Sequence, residues 1–310
     1  MSSAKIPVLA ALLANLGVAV AKFVAFVFTG STAMLAETVH SLADSGNEVL
    51  LLRGENRARQ PATRDHPFGF GRFRYFNAFL VAVGIFTVGG LFALYEGAHR
   101  VVDRAPVEQP GWAVGVLVAA MVMEGASLRT AVAGVQQVRE GRGWWEFVRT
   151  TKTPDLAVPL LEDSGALIGL VIALAGVIAS VLTGNGAWDG VASLLIGVVL
   201  IGLAVLLGIE TRSLLLGEAA SQRRTAKIRD AALGGPGVRA IVDLRTMHLS
   251  PDQLLVVATL ELDGSGSAAD VVGALDGCER AIRDAAGLDC LIYLRPALAP
   301  VVRGEPAPRG

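Results

Sequence analysis

Residues 36–52 read AETVHSLADSGNEVLLL. Strongly apolar sequence bounds this stretch, which puts it at membrane depth, yet it carries Glu37, His40, Asp44, Asn47 and Glu48. Each helical residue turns by about 100°. His40 and Asp44 therefore share a face with Glu37 and Glu48, and Asn47 stands beside them. An ionisable group at the centre of a membrane helix costs about 2.5–3.5 kcal/mol even on the lenient insertion scale. Such groups persist where they face a bundle interior, a water cavity or one another. A polar stripe of this kind points to function; the alternative is a hydrogen-bonded network that only fixes helix packing.

The rest of the chain supports the membrane setting. Of its 310 residues, 53% are hydrophobic and only 18% are charged, against about 25% charged in soluble domains. Mean hydropathy is +0.54. A net charge of −1 leaves no global basic signature for nucleic acid. A crossing helix needs roughly 20 apolar residues, and six runs qualify, near 7–29, 32–53, 76–98, 112–135, 157–182 and 187–209. The first contains Lys22, which must snorkel or face a partner helix. It lacks a small-residue cleavage pattern and reads as a span, not a signal peptide. The fifth contains Pro159, Glu162 and Asp163. Arg and Lys gather after the second, fourth and sixth runs, at Arg53 to Arg74, Arg139 to Lys152 and Arg212 to Lys227, whereas TGST (29–32) and TGNGAW (183–188) hold none. The positive-inside rule then predicts that both termini are cytoplasmic; the expected location is a cell (inner or plasma) membrane.

After about residue 220 the pattern changes. SQRRTAKIRDAALGG reads as an amphipathic helix closed by Gly234 and Gly235. VRAIVDLRTMHLS and QLLVVATLELDG read as two strands joined at Pro251-Asp252. SAADVVGALDGCERAIRDAAG has helical periodicity, and LDCLIYLRP is a last strand. The expected fold class is thus a multi-pass α-helical membrane protein. Six transmembrane helices fill residues 1–212, a cytoplasmic α+β domain of ferredoxin-like αββαβ order fills 213–298, and a disordered tail follows at 299–310. Cys278 and Cys290 form no CxxC and read as incidental thiols of a reducing compartment.

An imidazole and a carboxylate at i and i+4 aim a nitrogen and an oxygen at one point. His40 and Asp44 so placed suit a divalent transition metal, zinc first. Another helix must complete the site, and Glu162 and Asp163 in the fifth run are the best candidates. Counted from the inner ends of their runs, Asp44 and Asp163 stand at heights of roughly 14 and 11 Å, so they can meet. Adjacent Glu162 and Asp163 point about 100° apart, so one of them faces the second run and the other a neighbour or water. Glu124 in MVMEGASLR is a further buried acid: a ligand, a proton acceptor or a partner for Arg129.

With STAMLAETVHSLADSGNEVLLL (31–52), HPFGFGRFRY (66–75) and LLEDSGALIGLVIAL (160–174), the chain resembles the cation diffusion facilitator family of metal/proton antiporters. LLEDSGALIGL makes it most similar to the branch containing the mitochondrial zinc transporter of animals. The resemblance implies a homodimer with one transport site per protomer between the second and fifth spans. The family's second-span HxxxD or DxxxD falls on His40 and Asp44, and its fifth-span HxxxD on Pro159 and Asp163, so the fifth-span His is absent. Water, Glu162, Glu37 or Glu124 can substitute, and fewer nitrogen ligands leave room for manganese, iron or cobalt. Of the family's metal loop between spans two and three only His66 remains, with Thr63 and Phe70 at the other places, which makes HPFGFGR a structural turn and basic anchor. The family's zinc positions in the cytoplasmic domain fall on Val242, Thr259, Tyr293 and Arg295, none a usual zinc ligand. His248 and Asp252 could still hold a stray ion near their turn.

The expected function is efflux of a divalent metal by proton antiport, with metal, protons, the bilayer and a second copy of the chain as partners, no nucleic acid and no resident cofactor. An imidazole changes charge near neutral pH, so metal binding and proton release are linked. Glu37, Asn47, Glu48 and Glu124 would then line a wet path or proton relay, or serve as alternative ligands. Two other classes compete: a membrane metalloenzyme that activates water on zinc, for which no HExxH exists, and a scaffold whose polar stripe is structural.

Overall fold

The structure is a computed structural model that describes residues 5–139, 141–263 and 267–297. It divides into two compact units, one of residues up to Pro61 with Phe73–Arg212, the other of Ala62–Arg72 with the chain from Ser213 onward.

The first unit is helical. It comprises α1 (Lys5–Thr29), α2 (Thr32–Ala58), α3 (Phe73–Leu80), a π-helical turn (Val81–Phe86), α4 (Thr87–Asp103), α5 (Pro110–Val138), α6 (Trp144–Thr150), α7 (Pro154–Thr183) and α8 (Ala187–Leu216). Local chemistry sets the ends. Ser31 caps α2 by accepting from the Met34 amide. Pro110 and Pro154 occupy first helical positions, where a missing N–H costs nothing. Gly184 closes α7 with φ 65°.

Among the described residues four helices are long and apolar enough to cross a membrane: Phe73–Asp103, Pro110–Val138, Leu156–Thr183 and Ala187–Leu216. The described apolar part of α1 is the shorter Asn15–Thr29. Helix α2 has 27 residues and carries Glu37, His40 and Asp44 among its apolar side chains. Large apolar side chains such as Phe23, Val27, Val171, Ile178, Val198 and Val205 are exposed along the helices, as lipid-facing surface requires. Inside, Met34, Ala82, Leu117, Leu170, Val177, Ile196 and Leu200 form one core. The α4–α8 contact needs glycine: a Cβ on Gly97 would stand 2.8 Å from the Gly190 carbonyl, and one on Gly197 would stand 2.9 Å from that of Gly90. Backbones approach this closely only where neither helix carries a side chain.

Two features of this unit have no counterpart in the apolar pattern. The third run is interrupted by the π turn at Val81–Phe86, and α6 docks between α5 and α7 through Phe147 and Val148, packed with Val135 and Leu160.

The second unit has the order α9 (Gln222–Leu233), β1 (Val238–Ser250), β2 (Gln253–Leu262), α10 (Ala268–Ala286), β3 (Asp289–Ala297). The sheet order is β1-β2-β3, β1 antiparallel to β2 from Val238↔Leu262 to Ser250↔Gln253, and β2 parallel to β3 from Gln253↔Asp289. Helix α10 supplies the crossover that a parallel pair needs. Alternate residues Leu254, Val256, Ala258, Leu260 and Leu262 of β2 pack against Ile228 and Ala232 of α9 and Cys278, Ile282 and Ala286 of α10. The tail at 299–310 lies outside the described residues.

Candidate metal centre

Helix α2 carries the candidate residues His40 and Asp44, and its neighbours α1 and α7 pack against it. Its first turn is anchored from α8. The buried Asp189 carboxylate accepts from the Thr32 amide at 2.7 Å, from the Thr32 hydroxyl at 3.1 Å and from the Ser31 hydroxyl, with Arg100 Nε 3.8 Å away. A carboxylate here satisfies one orphan amide and faces the positive end of the helix dipole. Nothing in the sequence pattern marks Asp189, because its partners Ser31 and Thr32 on either side of the α2 start lie more than 150 residues away in sequence.

Below this anchor Glu37 and His40 are buried and Asp44 is partly buried. His40 is 1% exposed, and its Nδ1 stands 3.7 Å from Asp44 Oδ1. Asp163 on α7 accepts from Ser127 Oγ of α5 at 2.9 Å. Asp163 lies within electrostatic reach of Asp44. Glu124, one turn before Ser127 on α5, is buried and feels Asp44, Asp163, His40 and Lys22. Arg129, the partner that the third role of Glu124 would use, is exposed. Glu162 is buried beside Asp163. Among the described residues no three His, Cys, Asp or Glu side chains converge closely enough to hold a metal as they stand. The donors share a neighbourhood across α2, α5 and α7, with Asp163 held by Ser127. The side chains of Asn47 and Glu48 lie outside the described residues.

Glu37 has a partner that periodicity does not reveal. Lys22 of α1 is fully buried, and its Nζ donates to Glu37 Oε2 at 3.0 Å and to Ser41 Oγ at 2.7 Å. Of the two fates open to Lys22, it faces a partner helix. The other Glu37 oxygen, Oε1, lies against Gly169 of α7, where a Cβ would stand 2.3 Å away. Pro159, at the place of the family's fifth-span His, sits inside α7 and offers no N–H to the preceding turn.

In the second unit, residues 63–70 form a turn: the Thr63 and Gly69 amides donate to the His66 carbonyl at 3.1 and 3.0 Å, and the His66 ring packs on Phe70 at 4.5 Å. His248 is buried, with Nδ1 3.3 Å from the Ser250 carbonyl. Cys278 and Cys290 are buried free thiols, and burial pushes both up from the ordinary thiol range.

An apolar multi-helix unit with acids and an imidazole enclosed among its helices defines a multi-pass membrane protein built around a buried polar site. Residues 8–216 match the family model described as cation efflux transmembrane domain, and the chain belongs to that cation efflux family. It is 31% identical over 245 residues to the human protein named proton-coupled zinc antiporter SLC30A9, mitochondrial, covering 78% of this chain and 43% of the relative. It is 28% identical to metal tolerance protein C4 of Arabidopsis thaliana, covering 78% of this chain and 54% of the relative. It is also 28% identical to the cation-efflux pump FieF of Escherichia fergusonii, covering 89% of this chain and 87% of the relative. The chain thus spans less than half the length of the human relative and nearly all of the bacterial one.

Proposed function

We propose that the protein is a secondary transporter that moves a divalent metal cation, zinc first, out of the cytoplasm in exchange for protons. The cargo would bind where α2 meets α7, on His40, Asp44 and Asp163, with Glu162 or Glu124 as the further acid that assists. The observation that carries this reading is the enclosure of one imidazole and several carboxylates, mutually within electrostatic reach, inside an apolar bundle. Charges so placed are expensive unless a cation or proton compensates them. Family membership and the names of the relatives support transport over a metalloenzyme or a scaffold. With Pro159 in place of a second histidine, the donor set has one nitrogen, so manganese, iron and cobalt are the alternative cargoes.

Binding requires a neutral imidazole and ionised carboxylates. On the cytoplasmic side those forms take up M²⁺; on the far side protons compete for the same atoms and release it. In this reading α1, α2, α3–α4, α5, α7 and α8 are the six spans, both termini are cytoplasmic in the inner or plasma membrane, and the chain from Ser213 forms a cytoplasmic domain of a homodimer.

The test is metal uptake into proteoliposomes carrying a lumenal pH dye. Zn²⁺, Mn²⁺, Fe²⁺ and Co²⁺ are compared for wild type, Asp44→Ala and Asp163→Ala. Wild type should take up metal and move protons in the opposite direction, and both variants should lose the two signals together. Unchanged uptake by Asp44→Ala would sink the proposal.

A further inference from the structure

The buried pair Lys22–Glu37 is not needed to make a metal site, and it is costly to keep. Two charges leave water for a protein interior at several kcal/mol each, and a hydrophobic pair of similar volume is often as stable. Its position suggests what it does. Glu37 lies three residues before His40 and faces the same way; Ser41, the second partner of Lys22, is next to His40. The charge of Lys22 is felt at His40, Asp44 and Glu124. Glu37 Oε2 is taken by Lys22, while Oε1 is buried, has no hydrogen-bond partner among the described residues and abuts Gly169. Gly169 belongs to α7, the helix that carries Asp163. One oxygen of Glu37 is thus held by an internal cation, and the other lies bare at the α2–α7 contact.

We propose that Lys22 is an internal counter-cation that sets how tightly this protein holds its metal, by occupying Glu37 and so keeping a further carboxylate out of the donor set at His40, Asp44 and Asp163. The inference rests on the metal-transport reading above. A dication beside Glu37, Asp44, Glu124 and Asp163 would bind tightly and leave slowly. The Lys22 ammonium offsets one of those charges permanently and cannot diffuse away. Lys22 is a positioning residue: it acts on the metal through Glu37 and through its own field.

The experiment uses the full chain in nanodiscs, titrated with Zn²⁺ and Mn²⁺ against a competing chromophoric chelator at fixed pH, with thermal unfolding of the same samples. Lys22→Met should tighten Zn²⁺ binding by about tenfold or more, and adding Glu37→Gln should remove that gain. Glu37→Gln alone leaves the ammonium unopposed beside the donors and should weaken binding by a similar factor; this arm decides the matter if Lys22→Met fails to fold. Altered unfolding with unchanged affinity in both single variants overturns the proposal, as does a double variant that binds as tightly as Lys22→Met. Asp44→Ala, run in parallel, separates the two readings. If wild type binds metal, Asp44→Ala does not, and the Lys22 and Glu37 variants match wild type, only the counter-cation role falls. If wild type binds no divalent metal, or Asp44→Ala binds as wild type does, the site reading falls and the role of Lys22 with it.

Discussion

Gly169→Ala adds a single methyl group at the point where α7 meets the Glu37 carboxylate. Its Cβ would stand 2.3 Å from Glu37 Oε1, against 3.4 Å or more for ordinary contact, so the carboxylate must retreat by about 1 Å. Glu37 Oε2 is 3.0 Å from Lys22 Nζ, and Lys22 cannot follow freely because Ser41 holds it at 2.7 Å. Losing a charge-assisted hydrogen bond of this kind costs about 1.5–3 kcal/mol. Alanine for glycine inside a helix returns about 1 kcal/mol. The net expectation is a loss of about 0.5–2 kcal/mol. Gly125→Ala on α5 is the control: nothing lies within 4 Å of its Cβ, so only the favourable backbone contribution remains. Equilibrium unfolding in mixed micelles with increasing SDS should place Gly169→Ala below wild type and Gly125→Ala at or above it. The loss should shrink in a Glu37→Ala background, because the clash disappears with the carboxylate. The reasoning is refuted if Gly169→Ala is as stable as the control, or if its loss persists undiminished without Glu37.

Other outcomes follow from neighbouring contacts. Asp189→Ala should destabilise the helical unit by about 3–5 kcal/mol, because it strands Arg100, Ser31 and the Thr32 amide around a lost buried charge; SDS unfolding measures it. Ser127→Ala leaves Asp163 without its hydroxyl donor and should weaken metal binding by about 10–100-fold, with little change in unfolding; chelator competition separates the two. In the second unit, hydrogen bonds from the Ser267 hydroxyl and amide hold the Asp270 carboxyl below its ordinary range. A depressed carboxyl contributes stability above its unfolded value near 3.9 and loses it as pH falls through the folded one. Protection of the amides in the first turn of α10 against exchange, relative to the intrinsic rate at each pH, should therefore fall on acidification below about pH 4, and Ser267→Ala should flatten that dependence.

Much of this molecule is legible in its sequence. Helix starts and stops at Ser31, Pro110, Pro154 and Gly184 are local signals, and so are the alternation of QLLVVATLEL and the Ser267/Asp270 capping box. Each depends on side chains reaching their own backbone or on a fixed angular step. The same angular step puts Glu37, His40 and Asp44 on one face. It cannot choose which helix covers that face, because every apolar run offers lipid and protein alike a similar surface.

The sequence by itself therefore determined a polar stripe in a membrane helix, the acids that could join it, and an αββαβ unit after it. Tertiary structure alone decided the partners. Lys22 could have snorkelled; it turns inward because Glu37 and Ser41 lie opposite it on α2. Asp189 could have been a surface acid; it caps α2 from α8. Asp163 is oriented by Ser127 of α5, and Glu37 fits beside α7 because Gly169 has no side chain. A buried charge is stable only when its compensating group arrives from another helix, and that meeting is a property of the packed bundle, not of any segment.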